Sequence, residues 1–163
     1  MSIQSVCNFL LSLCSKNHET NEKSNDILVS LDATTPIFSL EGMLFDAKIV
    51  DVHDGDTVKA VFNVFGKYYK WNCRIAHVDT PELRTDNLEE KQRGIYVRDK
   101  LREQILNKVV TVHCLKFDKY GRLLVEIVTT ELNIPIHQWL IQNKYANPYE
   151  GKKKIKFIKT NNL

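Results

Sequence analysis

Phe45-Asp46-Ala47-Lys48-Ile49-Val50-Asp51-Val52-His53, then Asp54-Gly55-Asp56, then Thr57-Val58-Lys59-Ala60-Val61-Phe62-Asn63-Val64-Phe65 is the stretch that decides the fold. Both flanks are rich in β-branched and aromatic residues, and the Asp-Gly pair between them is a strong turn signal. Two strands joined by a tight turn follow. Tyr68–Val78 extends the pattern as a third strand. On it Trp71, Cys73 and Ile75 share one face, and Asn72, Arg74 and Ala76 the other. Thr80-Pro81 ends that strand, because proline cannot donate to a ladder.

Downstream, Asp86 and Glu89 have the spacing of a capping box and open a helix of about five turns, with Val97, Leu101 and Ile105 on one face. Gly94 interrupts it, at roughly 1 kcal/mol relative to alanine. Close packing against a strand would account for that glycine. Val109–Phe117 and Leu123–Val128 read as two more strands, turned by Asp118-Lys119-Tyr120-Gly121. Asn133 is placed to cap a second helix, Ile134–Asn143, with Ile136, Trp139 and Leu140 towards the core. Five strands with a helix after the third point to an α+β chain built on a five-stranded Greek-key barrel of the OB type, with two to three packed helices.

The rest of the chain is organised around that body. Its 163 residues suit one compact domain with a tail or two, and its apolar and charged fractions suit a packed core. The divisions expected are an N-terminal helix-like segment and polar linker over 1–41, a main domain over 42–151 and a basic tail over 152–163. In residues 1–42, Lys16 and Lys23 stand against five carboxylates. That segment therefore carries −3, and the remainder +6 of the net +3. A basic body suits an anionic partner such as nucleic acid, although this excess alone is also that of an ordinary solvated surface.

Ile3, Cys7, Leu10, Leu11 and Cys14 recur at helical spacing. Such a helix would pack on the domain or make peripheral contact with a membrane, and acylation of Cys7 or Cys14 is a further alternative. A secretory signal needs a basic residue ahead of its apolar run, and here the first one, Lys16, stands behind it. No segment is long enough to span a bilayer. The four cysteines fit no zinc motif, and Cys73 and Cys114 lie in strand-like runs where small buried thiols are common. These readings favour reduced thiols and an intracellular setting, with secretion or membrane association as the alternative. Lys152–Lys159 reads as a solvated terminus, with phosphate binding or packing of Ile155, Phe157 and Ile158 as alternatives.

Chemistry is concentrated in four short pieces. Asp54, Asp56 and Asp79 offer the oxygen ligands that hard divalent cations need. Glu82 stands where a carboxylate could take a proton from water or orient it. Arg74 and Arg122 carry guanidinium forks that match phosphate oxygens. Taken singly, each piece is also an ordinary turn, strand stop or surface charge. Their order and joint completeness argue otherwise. Asp54-Gly55-Asp56-Thr57, Arg74, Val78-Asp79-Thr80-Pro81-Glu82 and Asp118-Lys119-Tyr120-Gly121-Arg122 together resemble the staphylococcal nuclease (thermonuclease) family, over roughly Gly42 to Gly151. The Tyr149-Glu150-Gly151-Lys152 ending is similar to that of the shorter cellular and viral members.

That resemblance implies an OB-fold barrel and a calcium-dependent phosphodiesterase acting on DNA and RNA, with one Ca2+ per site. By matching positions, Asp56, Asp79 and the backbone carbonyl of Thr80 would hold the metal, and Asp54 would stand behind them. Glu82 would be the general base, or orient the water. Arg74 and Arg122 would clamp the scissile phosphate, and Lys119 and Tyr120 would contact a neighbouring one. Cleavage would fall between phosphorus and the 5′ oxygen. A monomer with no stable protein partner is expected. Gly66-Lys67-Tyr68-Tyr69 and Leu83-Arg84-Thr85 depart from the secreted enzyme, so loop contacts and substrate preference are not carried over. The competing reading is a catalytically weak OB-type module that binds nucleic acid or protein. The complete set Asp56, Arg74, Asp79, Glu82 and Arg122 favours the enzyme.

Overall fold

A computed structural model describes residues 25–151. Contacts divide the chain into two units, Met1–Phe38 and Ser39–Leu163. The expected helix over residues 1–15, the readings of Cys7 and Cys14, and the run Lys152–Lys159 lie outside the described residues. In the first unit residues 25–30 are helical, within the stretch expected to be linker. The Leu31 N–H donates to the Leu28 carbonyl at 3.2 Å, and Asp32 Oδ1 accepts from the Thr34 N–H at 2.8 Å. The apolar run Ile27-Leu28-Val29 supports a turn of helix that the polar composition around it conceals.

The second unit is a closed barrel. Its chain order is β1 (Leu44–Val52), β2 (Thr57–Val64), β3 (Lys67–Ile75), β4 (Val78–Asp79), α1 (Leu88–Ile105), β5 (Val109–Phe117), β6 (Leu123–Val128), α2 (Ile136–Gln142) and β7 (Asn147–Pro148). Around the barrel the strands run β1-β2-β3-β6-β5, and β5 returns to β1. Only the β3–β6 seam of the barrel is parallel; there Cys73, Arg74 and Ile75 face Leu123, Leu124 and Val125. The α+β, OB-type architecture expected from the strand pattern is therefore the observed one.

Period-two alternation fills the barrel. Val58, Ala60, Phe62 and Val64 of β2 point inward, and the residues between them are part-exposed. A bulge between Ile49 and Asp51 bends β1 and brings Asp51 opposite Lys59. Val97, Leu101 and Ile105 of α1 and Ile136 and Leu140 of α2 join the same core. Each buried aliphatic side chain of this kind contributes about 1.5–3 kcal/mol of transfer free energy. Cys73 and Cys114 are free and buried. Burial pushes their thiols up to about 12 and about 11, so both stay protonated at neutral pH.

Four local expectations are corrected. The third strand does not run unbroken to Val78. His77 takes a left-handed φ of 64°, and Val78–Asp79 beyond this corner pairs with Asn147–Pro148 instead. The cap of α1 is Asn87, not Asp86. Its side chain accepts from the N–H groups of Glu89 and Glu90 at 3.1 and 3.3 Å. Asn133 does not cap α2, which begins at Ile136 behind Pro135 with no side-chain cap. Gly94 packs on a loop, not a strand: a Cβ there would lie 2.8 Å from the Pro81 carbonyl oxygen.

Candidate active site

The site forms on the outside of the barrel, where β2 begins, β3 ends and β6 begins. Register places Thr57 of β2 beside Arg74 of β3, and Leu124 of β6 on Arg74's other side. Inward-facing Cys73 and Ile75 leave Arg74 directed outward. Asp56 stands at the mouth of β2. Its carbonyl accepts from the Ile75 N–H at 2.7 Å, and its own N–H donates to Asp54 Oδ1 at 3.1 Å. The β3–β4 corner then turns the chain so that Val78 and Asp79 come back towards Arg74.

Arg74 is the centre of a cradle. One guanidinium nitrogen pairs with the Asp56 carboxylate. The other donates to the Val78 carbonyl at 3.1 Å and lies 3.9 Å from Asp79 Oδ1. Asp56 and Asp79 are both almost fully buried, at 4 % and 3 % exposure. Burial, with the Asp54 charge adding to it and Arg74 working against it, pushes the Asp56 carboxyl up to about 7. Two buried carboxylates thus lie about one guanidinium.

The donor chemistry is the test of fit for a cation. Buried carboxylate oxygens brought to one place suit a calcium-like ion. Among the described residues no three His, Cys, Asp or Glu side chains gather as a ready-made metal group. Asp56 and Asp79 would therefore need backbone carbonyl and water oxygens to complete the 6–8 ligands that calcium takes. Thr80, also buried, is the adjoining residue.

Arg122 belongs to a second cluster. Asp118 opens the turn after β5 and accepts from the Arg122 N–H at 2.9 Å, from Arg122 Nε at 2.8 Å and from the Tyr120 N–H at 2.9 Å. Partial burial opposes ionisation of Asp118, but these hydrogen bonds outweigh it and hold its carboxyl below the usual range. The Tyr120 ring lies 5.0 Å from Lys119 Nζ and 5.7 Å from Arg122 Cζ. Thr57 joins the clusters: its hydroxyl donates to Asp56 Oδ1 at 3.0 Å and accepts from Arg122 at 3.4 Å.

Asp54, Asp56, Arg74 and Asp79 thus gather in one cluster, and Lys119, Tyr120 and Arg122 in another. Glu82 is exposed on the loop after Pro81, and its N–H donates to Glu90 Oε1 at 3.4 Å. Two glycines set the loop's position. A Cβ on Gly55 would lie 2.8 Å from Thr80 Cβ and 2.8 Å from Val97 Cγ1; Gly94 does the same for Pro81 and Glu82. Sequence reasoning missed the roles of Thr57, Asp118 and Gly55. The Asp118-to-Arg122 spacing across a tight turn was a usable signal for one of them.

Residues 72–163 match the model of a family described as staphylococcal nuclease homologue. Two curated relatives, both named "Uncharacterized endonuclease", come from Escherichia coli O157:H7 and Escherichia coli. Each is 26 % identical over 103 residues, 63 % of this chain and 60 % of the relative. The chain thus spans about three fifths of the length of these relatives.

Proposed function

We propose, from the premise that the chain belongs to the staphylococcal nuclease homologue family, that it is a calcium-dependent nuclease hydrolysing phosphodiester bonds of DNA or RNA. The observation that carries this reading is the Arg74 cradle, with two buried carboxylates on one guanidinium and Arg122 tied to it through Thr57. A structural ion pair does not need the second arginine.

Asp56, Asp79 and the Thr80 carbonyl would hold the ion, whose charge would offset the phosphate's and polarise water. Arg74 and Arg122 supply guanidinium forks where negative charge grows as water adds to phosphorus. Val78 and Asp118 keep those forks aimed, because each binds a guanidinium nitrogen from the side. Glu82, exposed and three residues past Asp79, accepts the proton lost by the attacking water. The bond from phosphorus to the 5′ oxygen breaks, and its electron pair leaves on that oxygen, which is then protonated. Lys119 and Tyr120 meet a neighbouring phosphate. The protein acts on nucleic acid as a monomer.

The deciding experiment incubates the full chain with single-stranded DNA, double-stranded DNA and RNA, in calcium and in chelator. Calcium-dependent cleavage is expected. No cleavage above the chelator background in any metal would overturn the enzyme reading and leave a binding module.

A further inference from the structure

We propose that Glu90 is a positioning residue for Glu82, holding in place the loop that presents it; this rests on the nuclease reading of the site. The reason lies at the start of α1. In a capping box the cap side chain binds the N–H three residues on, and the glutamate there reaches back to the cap's own N–H. Half of that pattern is present: Asn87 Oδ1 accepts from the Glu90 N–H at 3.3 Å. For the other half, the Asn87 N–H donates to Thr85 Oγ1 at 3.2 Å and not to Glu90.

With that donor taken, the Glu90 carboxylate turns to the loop. Its Oε1 accepts from the Glu82 N–H and its Oε2 from the Thr85 hydroxyl, each at 3.4 Å. One carboxylate thus spans the loop from Glu82 to Thr85. Gly94 lies about one turn further along α1, on the same face. A Cβ there would stand 3.2 Å from the Glu82 carbonyl oxygen. The Glu82 backbone is therefore set against the helix at both of its polar groups, while its side chain stays exposed.

A helix-capping role alone does not account for this arrangement. Negative charge is favourable in the first turn, but Glu89 supplies it equally. Capping would be served better by Glu90 on the Asn87 N–H, and Thr85 is the group that redirects it. Hydrogen bonds at the long end of the range fix position more than they add stability. Position is what a catalytic carboxylate needs: a displacement of about 1 Å can cost about 10²-fold in rate.

The test measures kcat and KM of the full chain on single-stranded DNA in calcium. Glu90→Ala should lower kcat about ten- to a hundredfold and leave KM in place. In the Glu82→Gln background the same substitution should have no further effect, because Glu90 acts through Glu82. Glu90→Gln keeps an oxygen for the Glu82 N–H and should recover most of the turnover. Thr85→Ala frees the Asn87 N–H, so Glu90 returns to the cap. Its kcat should fall while the melting temperature holds. Glu89→Gln removes a charge from the same turn and should leave kcat unaltered. Amide exchange reads the loop without turnover: in Glu90→Ala the Glu82 N–H should exchange about fivefold faster, with Val97 and Leu101 still protected.

The positioning role is overturned if the wild type cleaves and both Glu90→Ala and Thr85→Ala keep its kcat. It is also overturned if Glu90→Ala costs as much in the Glu82→Gln background as in the wild type, or if exchange at Glu82 is unaltered. A kcat that falls only together with the melting temperature and the protection of Val97 would show a helix cap and nothing more. A wild type that cleaves nothing would remove the nuclease, and exchange at Glu82 would then decide alone whether Glu90 holds the loop.

Discussion

The cradle of Asp56, Arg74 and Asp79 lies at strand ends, buried, with its charges held against one another. Three residues beyond Asp79, Glu82 stands exposed on a loop, positioned through its backbone and through the glycine beneath it. The cradle's charged groups are buried among strand ends, whereas the Glu82 side chain is open to solvent. On the proposed reading, the groups that meet charge at a fixed place are built into the barrel, and the group that exchanges protons with water is left in contact with it.

Arg74→Ala should break the comparison hardest. Burial of its pair with Asp56 adds a stability loss, towards the low end of the roughly 3–5 kcal/mol seen when a buried pair loses one member, because Asp56 can take up a proton. Turnover should also fall by about 10²–10³. An unchanged urea midpoint would show that the cradle contributes nothing to stability.

Glu82→Gln should act on one side only. Turnover is expected to fall about 10²–10⁴-fold, with the unfolding free energy from urea melts moved by no more than about 0.5 kcal/mol. Wild-type turnover in the folded variant would show that the base lies elsewhere.

Gly94→Ala has an informative sign. Helix propensity alone predicts a gain of about 1 kcal/mol. The 2.8 Å approach to the Pro81 carbonyl instead predicts a loss of about 1–3 kcal/mol, because backbone must move. Reduced turnover should accompany it, as Glu82 shifts with the loop. A stabilised, fully active variant would mean that the loop does not rest on α1.

The smallest effect concerns the corner that delivers Asp79. Glu126 accepts from His113 at 2.9 Å and faces His77, at the corner, at 3.2 Å, with His77 and His137 in ring contact. The His113 hydrogen bond, with the neighbouring histidines, holds the Glu126 carboxyl below its ordinary 4.5. Its contribution is therefore complete above that value and is lost as pH falls through the lower folded one. About 1 kcal/mol or less is at stake for a part-exposed pair. Acid unfolding monitored in wild type and Glu126→Gln should show this share of the acid loss in the former only.

Much of the barrel is legible in the sequence because alternation reports burial directly, as in Val58, Ala60, Phe62 and Val64. The apolar face of α1 is legible for the same reason. Features that depend on a one-residue shift are not. Asp86 and Asn87 are both good capping residues, and only the entry angle of the chain decides between them. The left-handed turn at His77 leaves no mark on hydropathy, so β3 and β4 read as one strand. In the site, residue types announce the carboxylates and arginines. The bridging hydroxyl of Thr57 and the close approach of Gly55 are tertiary facts, and the Asp-Gly pair reads only as a turn.

The parallel seam has a consequence in time. Cys73 meets Leu123 across it, so barrel closure waits for a contact between distant parts of the chain, a kind that forms slowly. During synthesis the first three strands, with Asp56 and Arg74, are complete well before Arg122 is added. A half-made chain therefore holds Asp56 and Arg74 without Arg122, and the two clusters come together only once the β3–β6 seam has formed.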